Sequence, residues 1–261
     1  MPSLTEWRVP PAYQPRPGDY SFDLDRVLSS VVGLHSIIPP DAFTAETLGT
    51  ERAGNGVVID DGLVLTIGYL ITEAEAVWLH LGDGRAVEGH ALGFDSVTGF
   101  GLVQALGRID LDPLPLGSSA AARVGDHVVV GGAGGRTRSV ASQIAARQEF
   151  AGYWEYLLDD AIFTYPAHPN WGGTGLISAS GELIGISGDG PAARAELKAG
   201  DVILAVNGEE VTSQSAFYRK LWALGPAGVD VPLTVHHEGV TFDVVLASTD
   251  RAKLLKAPQL H

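Results

Sequence analysis

The 261-residue chain carries 31 acidic against 17 basic residues, a formal net charge of −14, and it contains no cysteine. So negative a surface repels phosphate backbones and anionic lipid headgroups, which argues against nucleic acid and membranes as partners. The absence of cysteine excludes disulfides, thiolate metal sites and a cysteine nucleophile, and the sequence predicts no cofactor. Hydrophobic residues make up 45% of the chain beside 33 glycines, which predicts a sizeable core with many tight turns.

Residues 1–20 are rich in proline and predict an extended N-terminal arm, with aromatic side chains at Trp7, Tyr13 and Tyr20. No basic start leads into a hydrophobic segment, so the sequence predicts no signal peptide. The expected compartment is therefore the cytoplasm, or the periplasm if a leader has been removed.

A short helix over 22–28 and a strand over 30–37 begin the main part of the chain. The apolar, β-branched runs "GVVID" and "LVLTIG" flank Asp60, Asp61 and Gly62, which predicts a hairpin. A second strand–turn–strand unit follows in "AVWLHLGDGRAVEGHALGFD". Strands are then predicted in "GFGLVQAL", "DHVVVGGAG", "SVASQIAARQEF", "YLLDDAIFTY", "GTGLISAS" and "GELIGIS". Short strands at this spacing, with few helices, are typical of a sandwich or of paired barrels.

The composition changes at residues 187–190. Beyond this point the sequence predicts a short helix near 191–197, a strand over 201–206, a helix over 213–224 and two closing strands. We expect the tail over 251–261 to form a frayed helix or an arm.

Five segments, in order and spacing, resemble serine proteases of the HtrA/DegP type. "GNGVVIDDGLVLTIGYLI" is similar to the unit that delivers the catalytic histidine, and "LGFDSVTGFGLVQAL" to the one that delivers the aspartate. "DLDPLPLGSSAAARVGDHVVVGGAGG" resembles the connection between the barrels, and "HPNWGGTGLISASGELIGI" the nucleophile loop. "GPAARAELKAGDVILAVNGEEV" is similar to the family's PDZ signature.

The resemblance, which covers about 22–248, implies a mainly β fold. We expect a trypsin-like pair of six-stranded β-barrels over 21–187, followed by a smaller α/β PDZ-like domain over 188–250. The first strands of that domain are missing: either the domain is truncated, or a segment has been left out of this sequence. By resemblance, Ala216, Phe217 and Leu221 lie on the helix of its peptide groove.

All three positions of the catalytic triad hold other residues. By resemblance, the histidine position falls on Tyr69, the aspartate position on Gly99 and the serine position on Gly172. A phenol ordinarily titrates near pH 10 and is a poor general base at neutral pH, and glycine supplies neither a nucleophile nor an orienting carboxylate. The sequence therefore predicts a pseudoprotease.

The backbone of the nucleophile loop invites two further interpretations. In the first, Asn170, Gly172 and Gly173 retain an oxyanion-type site whose backbone amides donate to a carbonyl or carboxylate oxygen. The alternative, which we favour, is a relaxed loop with Tyr69 and Trp171 filling the old cleft.

Three functions follow from these alternatives. The leading one is an inactive adaptor or regulatory subunit that binds a peptide or protein ligand, including active protease relatives. The second is an active endopeptidase that uses Thr174 or Ser178 with His168 as base, and the third is a purely structural scaffold. Resemblance also implies a homotrimer, with the aromatic arm at its interface.

Two other groups of polar residues carry less weight. Adjacent histidines on a strand face opposite ways, so His236 and His237 do not predict a metal site, and we expect surface or edge-strand positions for them. The acidic residues near turns, Asp60, Asp61, Glu73 and Glu75, are expected to be solvated.

Overall fold

The computed structural model describes residues 7–152, 157–187, 202–237 and 239–257. Helix α1 (Leu24–Ser29) leads into the first barrel, which holds a further short helix, α2 (Ala45–Leu48). The barrel's six antiparallel strands are β1 (Val31–Ile37), β2 (Glu51–Asp60), β3 (Leu63–Ile67), β4 (Ala76–His80), β5 (Ala86–Phe94) and β6 (Phe100–Ala105). They pair in the order β1-β2-β3-β6-β5-β4, and pairing of β4 with β1 closes the barrel. The hairpin predicted at residues 60–62 is confirmed as the β2–β3 turn.

Alternating side chains fill this barrel, as strand geometry requires. Val32 and Leu34 of β1, Val64 of β3, Leu79 of β4 and Val103 of β6 are each at most 2% exposed. Burying such a side chain contributes about 1.5–3 kcal/mol.

The second sheet has five strands in the described residues, where six were expected. They are β7 (His127–Gly131), β8 (Val140–Ala151), β9 (Leu157–Tyr165), β10 (Gly175–Ile177) and β11 (Leu183–Ile186), in the order β11-β10-β7-β8-β9. In the described residues, β9 and β11 are therefore the end strands of this sheet.

Helix α1 packs where the two sheets meet. Asp23 caps it by accepting a hydrogen bond from Arg26 N at 3.1 Å. Its buried Leu24 and Leu28 join a cluster that contains Val57 of β2 and Val129 of β7. This shared core fixes the first barrel against the second sheet.

A four-stranded sheet forms the C-terminal unit. Its strands are β12 (Val202–Val206), β13 (Glu209–Glu210), β14 (Asp230–His237) and β15 (Val240–Ala247), in the order β13-β12-β14-β15, with helix α3 (Gln214–Ala223) beside them. His236 and His237 end β14, which is an inner strand and not the edge strand allowed for above. The helix predicted near 191–197 lies outside the described residues.

The predicted groove helix packs in two directions. Phe217 and Leu221 pack against the core of the four-stranded sheet, and Ala216 is half-buried. On the other side, the Tyr218 hydroxyl donates to Gly152 O at 2.9 Å, and Arg219 pairs with Asp159 at 2.9 Å. The β8–β9 hairpin therefore covers part of the surface of α3.

In the described part of the chain, no helix is long and apolar enough to cross a membrane.

Glu73 corrects one expectation from the sequence, because its side chain is buried (4% exposed) and not solvated. Its carboxylate accepts hydrogen bonds from the backbone amides of Phe43 at 3.2 Å, Thr44 at 2.7 Å and Lys256 at 3.0 Å. These amides hold the pKa of Glu73 below its ordinary value, although burial opposes them. The C-terminal tail is thus anchored on the first barrel. The other three acidic residues, Asp60, Asp61 and Glu75, are exposed.

Arg52 lies beside this site and is 4% exposed. Its guanidinium donates to Tyr69 O at 2.6 Å, to Thr72 O at 3.1 Å and to Thr44 Oγ1 at 2.6 Å. Burial lowers its pKa to about 10, against an opposing effect of Glu73. Arg52 therefore fixes the backbone of the segment that carries Tyr69.

We predict that Arg52→Met destabilises the protein by about 3 kcal/mol, because the buried acceptors that Arg52 satisfies lose their donors. Urea unfolding followed by circular dichroism measures this free energy. The matched control is Arg26→Met, which removes an ion pair with Asp112 whose side chains are 67% and 64% exposed. It should cost less than about 1 kcal/mol. Equal losses in the two variants would contradict the role given to Arg52.

Candidate functional site

The three predicted triad positions converge where the first barrel meets the loop before β10. Tyr69 lies in a single 3-10 turn after β3, and the preceding Gly68 N donates to Gly99 O at 2.7 Å. A Cβ built on Gly172 would lie 3.6 Å from Tyr69 Cζ and closer still to the Tyr69 hydroxyl. The phenol thus occupies the space that a side chain at Gly172 would need.

Gly99 has a φ of 78°, a left-handed conformation that favours glycine and that aspartate tolerates better than most residues. The turn that contains it is closed by Asp95, whose carboxylate accepts from Val97 N and from Thr98 Oγ1, while Gly99 N donates to Asp95 O. No side chain at Gly99 orients Tyr69, and neither glycine supplies a group for nucleophilic or base catalysis.

Asn55 of β2 fixes the nucleophile loop, and it is 6% exposed. Its backbone N and its Nδ2 both donate to Gly172 O, at 2.9 and 3.0 Å, and Nδ2 also donates to Asn170 O at 3.2 Å. Its Oδ1 accepts from Ala133 N at 2.9 Å. One side chain therefore joins the first barrel, the loop and the end of β7. The sequence reasoning missed Asn55; its only sequence signal was an asparagine inside a strand-like run.

The backbone amides of the predicted oxyanion-type site are partly engaged within the protein. Asn170 N donates to His168 Nδ1 at 3.1 Å, and Gly173 N donates to Ser187 O at 3.0 Å. Gly173 has a φ of 74°, and an added Cβ would collide with Asn55 O, so glycine is required there. An oxygen ligand for these amides stays a prediction.

His168 is 3% exposed, and backbone groups occupy both of its ring nitrogens. Nε2 lies 2.6 Å from Arg138 O, and Nδ1 accepts from Asn170 N. This arrangement fits the neutral ring with its proton on Nε2, and burial lowers the pKa of His168 below its ordinary value.

Neither alternative nucleophile has a base beside it in these contacts. The Thr174 hydroxyl is fully buried and donates to Trp171 O at 2.8 Å. Ser178 lies in the β10–β11 turn, where its hydroxyl pairs with that of Ser180 at 2.8 Å. His168 contacts Arg138 and Asn170 instead, so the structure brings no serine- or threonine-based dyad together at these residues.

A cavity of about 410 Å³ remains beside the triad positions, lined mainly by apolar side chains. Strands β8 and β9 contribute Phe150, Leu158, Ile162 and Phe163, and the opposite wall includes Trp171, Ile184 and Ile186. Tyr69 fills the space next to Gly172, but Trp171 lines the cavity without closing it. Among the described residues, the cavity lies between β9 and β11, the end strands of the second sheet.

In the described ranges, no three His, Asp or Glu side chains are grouped so that they could hold a metal ion.

Comparison with known proteins gives the family. A model described as "Trypsin-like peptidase domain" matches residues 54–186, about half of the chain, and one described as "PDZ domain" matches residues 173–247. The chain belongs to the trypsin-like serine proteases of the HtrA type. In the structure, β10 and β11 belong to the second trypsin-like sheet, although the PDZ match includes them.

Curated relatives of this HtrA-type chain include periplasmic serine endoprotease DegP of Salmonella typhimurium, 32% identical over 142 residues, which are 51% of this chain and 29% of the relative. Serine endoprotease DegS of the same species is 26% identical over 66% of this chain and 49% of the relative. A probable DegP-like endoprotease of Halomonas elongata is 26% identical over 73% and 56%. The chain thus spans less than two thirds of these relatives.

A solved structure of a variant of the HtrA-type protease AlgW with a tripeptide shares the fold. It matches with a TM-score of 0.50 at 18% identity, over 90% of this chain and 97% of that chain.

We predict that Gly172→Ser destabilises the protein by about 1–3 kcal/mol in the wild-type background, because the new side chain overlaps the Tyr69 phenol. The penalty should shrink when Tyr69→His is also present, and urea unfolding of the four proteins in this double-mutant cycle measures the coupling. Gly82→Ser is the control, since a Cβ on Gly82 meets nothing within 4 Å. Additive effects of the two substitutions would contradict the contact between these positions.

We also predict that stability falls as the pH drops below about 6.5, the ordinary pKa of histidine. Below that pH, His168 is protonated in the unfolded state. In the folded state it stays neutral until the pH reaches its lower pKa, so protonation favours unfolding. His168→Gln should reduce the slope of unfolding free energy against pH by up to about 1.4 kcal/mol per pH unit.

Urea unfolding between pH 5 and 7.5 measures this slope. Partial burial and nearby His35 also lower the pKa of His80, so this residue contributes to the residual slope, and His80→Gln is the companion variant. An unchanged slope in His168→Gln would show that the pKa of His168 is the same in the folded and unfolded states, and it would contradict the prediction.

Proposed function

We propose that this chain is a catalytically inactive HtrA-type homologue that binds extended, apolar peptide segments in the cavity between β9 and β11. The observation that carries the proposal is the contact of the Tyr69 phenol with Gly172. It puts a weakly basic group and a residue without a side chain where the family's chemistry needs a base and a nucleophile.

Loss of triad residues supports inactivity in quantitative terms. In a serine protease of another fold, removing triad members lowers turnover by about a million-fold, and the remainder comes from oxyanion stabilisation and binding. Here the backbone amide of Asn170 donates to His168 Nδ1 and not to a substrate oxygen. In this conformation the residual turnover from oxyanion stabilisation is therefore reduced as well.

The form of the cavity supports peptide binding. Strands β9 and β11 end the second sheet in the described residues, although residues 115–117 pair with β11 at Leu183. An extended peptide bound along the edge of β9 gains main-chain hydrogen bonds. The apolar lining favours apolar side chains, and the net charge of −14 disfavours acidic peptides.

An adaptor role, assembly with active relatives and a homotrimer remain parts of the proposal. Fewer aromatic side chains of the arm are exposed for a trimer interface than we expected from the sequence. Trp7 and Tyr20 pack against the chain's own cores, while Tyr13 is 48% exposed. The relatives' names place DegP in the periplasm, and we propose that compartment ahead of the cytoplasm.

The test of inactivity is casein degradation at high protein concentration. We expect no cleavage by the wild type. A variant with Tyr69→His, Gly99→Asp and Gly172→Ser that cleaves casein would support the assignment of the three positions. Cleavage by a wild-type preparation that retains activity after inhibitors of contaminating proteases are added would contradict the proposal.

The test of binding uses peptides from a tryptic digest of casein, measured by fluorescence anisotropy after labelling. Ala161→Trp, which fills the cavity, should weaken binding by about tenfold or more, a difference of about 1.4 kcal/mol. Ala86→Trp, on the exposed start of β5, is the matched control and should bind as the wild type does. Equal affinities in both variants would place the peptide elsewhere.

A further inference from the structure

The N-terminal arm is bound to the second sheet next to the nucleophile loop. Val9 is 1% exposed and packs with Val128, Val130 and Ile144. Its N donates to Thr137 O at 2.9 Å. The Gln14 Nε2 in turn donates to Val9 O at 2.7 Å, so the arm is fixed by both packing and backbone hydrogen bonds.

This anchorage places Trp7 against the nucleophile loop. The indole meets the His168 ring edge-on, with centroids 5.4 Å apart and planes at 89°, and the Arg138 guanidinium lies 5.5 Å from the indole centroid. With the Asn170 carboxamide turned so that its oxygen faces the indole, this oxygen accepts from Trp7 Nε1 at 2.8 Å. In that orientation its nitrogen donates to Pro169 O at 3.2 Å.

One of the residues that Trp7 contacts, His168, is part of the cavity wall. His168 and Trp171 both line the cavity, and Asn170 lies between them in the loop. His168 also holds the Asn170 amide through Nδ1. A movement of the arm would therefore change the ring orientation of His168 and the backbone of the loop together.

We propose that Trp7 is a positioning residue of the peptide-binding site: the N-terminal arm holds His168 and Asn170 so that the cavity wall is preorganised before a peptide arrives. A wall that is already ordered saves the entropy of ordering it on binding, so losing Trp7 lowers affinity without removing a peptide contact. This inference rests on the function proposed above.

The arm is the unexpected part of this site. Residues 7–14 precede the trypsin-like match, which begins at residue 54, by some forty positions. The cation–π contact with Arg138 and the edge-on contact with His168 both engage the same indole, and His168 Nε2 in turn lies 2.6 Å from Arg138 O.

The experiment compares Trp7→Ala, Trp7→Phe and the arm control Tyr13→Ala in the full chain. The first readout is nuclear magnetic resonance of the protein without peptide. It follows the His168 ring through a pH titration and the exchange rate of the Asn170 amide. Trp7→Ala should raise the His168 pKa towards its ordinary value, because the ring becomes more exposed, and should speed exchange at Asn170.

The second readout is the affinity for the casein-derived peptides. We expect a loss of about tenfold in Trp7→Ala. The loss should be smaller in Trp7→Phe, which keeps an aromatic ring but has no Nε1–H. Tyr13→Ala should match the wild type in both readouts. Trp7→Phe also keeps the test open if Trp7→Ala fails to fold.

The two proposals fail in different ways. If no peptide binds the wild type, the proposed function is wrong, while altered His168 and Asn170 signals in the Trp7 variants would still support the positioning role. If these signals and the peptide affinity are unchanged in both Trp7 variants, the positioning role is overturned.

Discussion

The geometry of the site depends on the hydrogen bonds that Asn55 donates to the carbonyl oxygen of Gly172. Two donors from one buried residue, at 2.9 and 3.0 Å, fix this oxygen, and the same side chain reaches Asn170 O and Ala133 N. The Asn55 carbonyl in turn accepts from the buried Thr66 hydroxyl at 2.6 Å, which ties the arrangement to β3. Because these groups are buried, breaking one of the hydrogen bonds would leave an unsatisfied polar atom at a cost of about 1–3 kcal/mol.

This constraint explains why the loop keeps its place although no catalytic serine lies in it. The loop is held from the first barrel by Asn55, from the second sheet by Ser187, and from the N-terminal arm by Trp7. Three elements distant in sequence thus support a turn whose position 172 has no side chain. Such support is hard to understand for a vestigial loop and easier for a binding surface that needs a fixed shape.

Much of the fold followed from local sequence patterns. The apolar, β-branched runs "GVVID" and "LVLTIG", with Asp-Asp-Gly between them, indicated the β2–β3 hairpin, and "SQSAFYRKLWAL" indicated α3. The second sheet has five strands in the described residues, and the expectation of six came from family resemblance alone.

The candidate site was only partly predictable. Tyr69, Gly99 and Gly172 could be singled out because the motifs around them retain the family's spacing. The hydrogen bonds that bury Glu73 join residues 29 and 183 positions apart. The hydrogen bonds of Asn55 to the nucleophile loop and the contact of Trp7 with His168 also join residues distant in sequence, and no local pattern encodes them. A charged residue near a turn is ordinarily expected to be solvated. Glu73 is buried instead, because backbone amides from distant parts of the chain donate hydrogen bonds to its carboxylate.

The most direct test of the account is a long incubation of the wild-type protein with casein-derived peptides, followed by gel filtration and mass spectrometry of the protein fraction. The account predicts that apolar peptides co-elute with the protein at their original masses. Recovery of shortened peptides, in a preparation free of contaminating protease, would contradict it.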